Sequence, residues 1–195
     1  MLQQLLESAL RQTMNRLVRP VLNPAVPVPL QRRILRQAYR SSTPPRGARF
    51  ENATVGGVPA TRTIFGKGSH GAVLYLHGGG YIIGSSSTHR GITGHLAKAS
   101  GCTVVTPDYR LAPEFPFPAA LDDAEACWNG LLEEGFKPGQ IAVAGDSAGG
   151  GLALALAMRL RDKGQPLPAS LTAFSPWADL TQEQLYTPEC EPVLQ

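Results

Sequence analysis

Four short apolar runs constrain this 195-residue chain more than any other feature. Residues 72–76 read Ala-Val-Leu-Tyr-Leu, and residues 102–106, 141–144 and 170–174 are of the same kind. Each is too short for a helix, and all but the last lack the alternation of a half-exposed strand. All four are read as strands buried on both faces. Helical stretches near 88–100, 118–134 and 148–163 lie between them. Strands that alternate with helices predict βαβ units, hence an α/β fold with a mostly parallel twisted sheet and helices on both faces. Residues 49–55 and 58–65 read as two further strands, joined through Gly56-Gly57 as a hairpin. There is no internal repeat.

Composition excludes several classes. At 43% hydrophobic and 17% charged residues the chain is too apolar to be disordered. Cysteines at 102, 127 and 190 fit neither a disulfide framework nor a metal site, so a reducing, cytoplasmic setting is expected, with no metal and no cofactor. No apolar run reaches the ~18 residues of a membrane span. Charge is uneven: residues 1–50 carry +8 and the remainder −5. Without aromatic interleaving, and with an acidic remainder, the chain gives no signal for nucleic acid.

Leu2, Leu5, Leu6, Ala9, Leu10 and Leu17 recur at helical spacing, and Leu30, Ile34, Leu35, Ala38 and Tyr39 suggest a second helix. Such an Arg-rich segment suits a transit peptide, a membrane-surface helix or a cap over the core. Two helices divided by a proline hinge favour the cap. The expected division is a helical cap segment over residues 1–45 and an α/β core over residues 46–195.

Three unusual segments, His77 to Gly80, Asp108-Tyr109-Arg110 and Gly145 to Gly149, leave strands at one edge, where open parallel sheets place their ligands. Gly145-Asp146-Ser147-Ala148-Gly149 matches G-x-S-x-G between a strand and an apolar helix. A serine on so sharp a turn needs small neighbours, and the helix N-terminus beside it offers unpaired N–H groups to developing negative charge. Ser147 is therefore the candidate nucleophile, and a glycine-rich turn with a capping serine is the plainer alternative. His77-Gly78-Gly79-Gly80 follows another strand. Its N–H groups can form an oxyanion hole with that of Ala148, or a phosphate nest, though no phosphate-binding G-x-x-x-x-G-K-[ST] is present. His77 reads as a loop anchor rather than a base, Asp146 as a local hydrogen-bonding group rather than a general acid, and Arg110 with Glu114 as a brace behind the serine. Cys127 reads as core, Tyr81 and Trp177 as pocket walls, and Asp179 as a loop cap.

Together, His77 to Tyr81, Tyr109-Arg110-Leu111-Ala112-Pro113-Glu114, Phe117-Pro118-Ala119-Ala120, Gly145 to Gly150 and Ser175-Pro176-Trp177-Ala178-Asp179-Leu180 resemble the hormone-sensitive-lipase-type carboxylesterases of the α/β-hydrolase fold. The resemblance covers nearly the whole chain, its N-terminus being similar to that family's cap. It implies hydrolysis of small carboxylic esters with short or medium acyl chains, without metal or cofactor. It further implies Ser147 as nucleophile and Gly78, Gly79 and Ala148 as oxyanion donors.

A serine nucleophile needs a base and an orienting acid, which in this fold follow it in the order acid, then histidine. His70, His77, His89 and His95 all precede Ser147, and Asp179, Glu183, Glu189 and Glu191 do not stand where the resemblance puts the acid. The expectation is a C-terminally truncated member of the family, lacking the later strands and nearly inactive alone. A non-catalytic ligand-binding protein on the same scaffold and an amide or carbamate hydrolase are the alternatives.

Overall fold

The computed structural model describes residues 12, 16, 19–23, 25–38, 42–67 and 71–179. The helix expected over Leu2 to Leu17, His70 and the acids beyond Asp179 lie outside the described residues. Helix α1 (Val28–Ala38) precedes a hairpin of β1 (Ala48–Val55) and β2 (Val58–Phe65). There follow β3 (Ala72–Leu76), α2 (Arg90–Ser100), β4 (Thr103–Pro107), α3 (Ala119–Glu133), β5 (Ile141–Asp146), α4 (Ala148–Asp162) and β6 (Ser170–Phe174).

The six strands form one sheet in the order β1-β2-β4-β3-β5-β6. β4, β3, β5 and β6 run parallel, and the hairpin joins them antiparallel through β2. The hairpin turns through Gly56 and Gly57 at φ 57° and 80°, a conformation that favours glycine. Gly56 has a second reason to lack a side chain, because a Cβ there would overlap the Ala126 carbonyl on α3.

Burial on both faces explains why the runs of β3, β4 and β5 do not alternate. β6 corrects the expectation: none of its five residues is buried, and exposed positions alternate with half-buried ones. Leu74 and Leu76 of β3 pack with Trp128 and Leu131 of α3 and with Leu152, Leu156 and Leu160 of α4. Val73 and Tyr75, pointing the other way, pack with Val104, Ala144 and Ala97 of α2. Each strand of the centre thus contributes to two cores. Cys127 is fully buried and its thiol, pushed up to about 12 by burial, donates to the Val55 carbonyl, as a core position requires.

Element boundaries differ from the sequence reading by a residue or two. The stretch expected from residue 88 instead begins with a short 3₁₀ turn, Ser86–His89, capped by Ser85 and Thr88, before α2. α1 buries Gln31 and Leu35 and is pinned by Arg32, which donates to the carbonyls of Ile82 (2.8 Å) and Ala112 (2.9 Å).

Leu156 and Met158 lie on one helix in opposite situations, the first fully buried and the second 54% exposed. Leu156→Ala should cost about 2–5 kcal/mol of stability, through lost burial and the cavity it leaves. Met158→Ala should cost less than about 1 kcal/mol. Urea unfolding of both variants checks the contrast.

Candidate active site

β5 ends at Asp146 and α4 begins at Ala148, so Ser147 must reverse the chain by itself. It does so at φ 51°, ψ −121°, a left-handed conformation that costs a residue with a Cβ about 1–3 kcal/mol. Three backbone hydrogen bonds hold it there. Its N–H donates to the Phe174 carbonyl at the end of β6 (2.9 Å), and its carbonyl accepts from Gly151 (3.1 Å) and Trp177 (2.9 Å). The side chain is left exposed, and no hydrogen bond to its Oγ occurs among the described residues.

Facing this turn is the segment after β3. Gly79 and Gly80 adopt φ 128° and 60°, and the Gly79 carbonyl accepts from the N–H groups of Ile82 and Ile83. Gly78 behaves differently. Its N–H donates to Asp146 Oδ1 at 2.9 Å, and a Cβ on it would overlap that carboxylate. The sequence reading makes Gly78 an oxyanion donor; here its N–H is occupied, and a second acceptor would have to displace the carboxylate. Among the described residues the N–H groups of Gly79, Gly80 and Ala148 have no partner, nor have those of Tyr81, Gly149 and Gly150.

His77 is completely buried, with its ring stacked on Tyr109 at 4.2 Å. Nδ1 lies 2.9 Å from the Gly78 carbonyl and must carry the ring proton to donate to it. Burial, with a smaller contribution from neighbouring His89, pushes the pKa of His77 down to about 4, so the ring is neutral near pH 7. The Tyr109 hydroxyl donates to the His77 carbonyl at 2.6 Å. These contacts are those of a loop anchor.

Asp146 touches more than a local cap would. Burial works against its charge, but the neighbouring His89, the Tyr75 hydroxyl and the Gly78 N–H outweigh burial and hold its carboxyl below the usual carboxylate range. Neither Tyr75 nor His89 stood out in the sequence. The one signal was polar atoms in runs otherwise apolar or helical, a tyrosine inside a buried strand above all.

The brace expected between Arg110 and Glu114 is not formed. Arg110 instead pairs with Asp123 of α3, at 2.7 Å from Nη2 to Oδ1, with its own N–H on Oδ2. Glu114 makes a two-pronged pair with Arg32 of α1, at 2.8 Å on each oxygen. Asp123 lies on the buried side of α3, one turn before Cys127, where a carboxylate needs a fixed cation. A charged residue at a core-facing helical position was the available clue.

An apolar groove of about 480 Å³ opens next to the residues that hold the serine's carbonyl. Gly151 and Trp177, which hold the Ser147 carbonyl, form part of its wall, with Tyr81, Phe115, Leu121, Leu152, Leu154 and Met158 along its length. The Tyr81 and Trp177 rings face each other at 6.3 Å. A second cavity of about 600 Å³ lies against α1 and is more polar; Ser147 and Ala148 are among the described walls of neither cavity. No group of three metal-binding side chains occurs among the described residues.

Because His77 holds off its proton in the folded state, the unfolded chain binds that proton first as pH falls. Stability should therefore decline from pH 6.5 towards 4, with a slope from this group approaching about 1.4 kcal/mol per pH unit. Urea titrations between pH 7 and 4.5 test this, and His77→Gln should remove that part of the slope.

A family model described as alpha/beta hydrolase fold matches residues 73–193. A putative acetyl-hydrolase, LipR, of Mycobacterium tuberculosis is 46% identical over 137 residues, covering 70% of this chain and 44% of its own. An acetyl-hydrolase of Streptomyces hygroscopicus is 52% identical over 111 residues, covering 57% of this chain and 37% of its own. Among solved structures, an esterase of the bacterial hormone-sensitive lipase family superposes with a TM-score of 0.80 at 41% identity, covering 87% of this chain and 58% of that one. The chain thus spans about half the length of these relatives. Its sheet order, its serine turn and these likenesses agree: the chain belongs to the hormone-sensitive-lipase-type esterases of the α/β-hydrolase fold.

Proposed function

We propose that this chain carries the nucleophile and oxyanion hole of a serine carboxylic ester hydrolase. The observation that carries the reading is an exposed serine held at positive φ, whose hydroxyl and the neighbouring N–H groups of Gly79, Gly80 and Ala148 have no partner among the described residues, near an apolar groove. In the proposed reaction Ser147 Oγ attacks the ester carbonyl as a base takes its proton. The carbonyl oxygen becomes an oxyanion held by the N–H groups of Gly79, Gly80 and Ala148, with the N-terminus of α4 adding its positive end. The alcohol leaves with a proton, and water then releases the acid from the acylated serine.

The groove near Ser147 suits a short or medium apolar acyl or alcohol chain, and the names of the two acetyl-hydrolases agree with a small acyl group. The base is not among the described side chains that touch Ser147. His77 is turned into the core, and His89 lies against Asp146 with its Nε2 at 3.5 Å from Oδ1.

The 195-residue chain alone should therefore hydrolyse p-nitrophenyl butyrate only slightly faster than its Ser147→Ala variant, since losing the base costs about 10⁶ in kcat in a comparable triad. Added imidazole, a diffusible base, should raise the rate of the wild-type chain above that of Ser147→Ala measured at the same imidazole concentration. Equal rates for the two proteins at every imidazole concentration would count against Ser147 as nucleophile.

A further inference from the structure

We propose that Asp146 is the positioning residue of the oxyanion loop, its carboxylate fixing Gly78 and thereby the two glycine N–H groups that follow. The inference rests on the reading of Ser147 as a nucleophile, and adds a residue that holds its electrostatic partner in place.

One oxygen of Asp146 gathers groups from three separate segments. Oδ1 accepts from the Tyr75 hydroxyl of β3 at 2.8 Å and from the Gly78 N–H at 2.9 Å. The His89 Nε2 lies 3.5 Å from the same oxygen, on the 3₁₀ turn before α2. The approach to Gly78 is so close that any Cβ there would collide with the carboxylate. Among the described residues, the other ties on this loop engage carbonyls: Tyr109 on His77, His77 on Gly78, and Ile82 and Ile83 on Gly79. The carboxylate makes the tie that engages an N–H of the three glycines.

Its place in the chain gives that tie a purpose. Asp146 is bonded directly to Ser147, so the nucleophile and the loop opposite it share one anchor. A shift of about 1 Å between reacting groups can cost a hundredfold in rate. A carboxylate also outperforms a neutral acceptor, since charge-assisted hydrogen bonds are roughly twice as strong. The same surroundings, Tyr75, His89 and the Gly78 N–H, keep the group ionised, so it has no proton to give as a general acid.

The test uses the ¹⁵N-labelled 195-residue chain and three variants, Asp146→Asn, Asp146→Ala and Tyr75→Phe. In both Asp146 variants the Gly78 amide should exchange with solvent at least about tenfold faster, while the amides of Val143 and Ala144 in β5 stay within about twofold. Tyr75→Phe, which frees the carboxylate from one donor but keeps the ring, should speed Gly78 exchange by about threefold and keeps the test open if the Asp146 variants fail to fold. In the imidazole-supplemented assay with p-nitrophenyl butyrate, Asp146→Asn should lower kcat by about tenfold or more with KM within about twofold. Unchanged Gly78 exchange would overturn the proposal, and so would equal loss of protection across β3 and β5. Absence of any Ser147-dependent hydrolysis in the wild type would sink the esterase reading alone, because the exchange measurements decide the anchoring separately.

Discussion

A Cβ on Gly149 would overlap the carbonyl oxygens of Leu76 and His77, and one on Gly145 would overlap the Gly149 carbonyl and press on that of Leu76. The end of β3, the end of β5 and the first turn of α4 therefore meet backbone against backbone. Much else follows from that approach. It lets α4 start one residue after the strand, which leaves Ser147 alone to make the reversal. It brings the segment after β3 within reach of the Asp146 side chain. It also seats the first turns of α4 on the sheet, where Leu152 and Leu156 enter the larger core. The glycines on either side of the serine are thus a packing requirement before they are a chemical one.

The parts of the molecule that were legible in the sequence are those decided locally. The central strands announce themselves because burial on both faces removes alternation, and the runs at 72–76 and 170–174 end where the strands end. The hairpin is legible because two successive positive φ angles ask for two glycines. Ser147 is legible because a strand, a tight turn and an apolar helix adjoin in sequence. What was not legible is which polar groups meet across elements. Arg110 and Glu114 are four residues apart and of opposite charge, yet each pairs with a different helix, Asp123 of α3 and Arg32 of α1. The role of Gly78 was hidden for the same reason. Its N–H is taken by a residue 68 positions later, and only the register of β3 beside β5 brings the two together.

The uneven charge of the chain acquires a structural sense through Arg32. A single guanidinium from the basic N-terminal part reaches the Ile82 and Ala112 carbonyls and the Glu114 carboxylate at once. Ile82 lies just beyond the three glycines, and Ala112 and Glu114 lie in the segment that walls the apolar groove. α1 is thereby tied to both borders of the site through planar, directional hydrogen bonding, which a lysine could not reproduce.

The serine's backbone also belongs to the edge of the sheet. Its N–H continues the β5–β6 pairing onto the Phe174 carbonyl, and its own carbonyl takes the N–H of Trp177 from the segment beyond. β6 is the most exposed of the parallel strands, and among the described residues it pairs with β5 alone. The torsional strain at Ser147 is therefore held by main-chain pairing between β5 and β6 rather than by the side chains of the two cores. Loss of that pairing would let the serine relax into ordinary helical or extended geometry while the two cores stayed intact, so the poise of the hydroxyl is a property of the backbone ladder beside it.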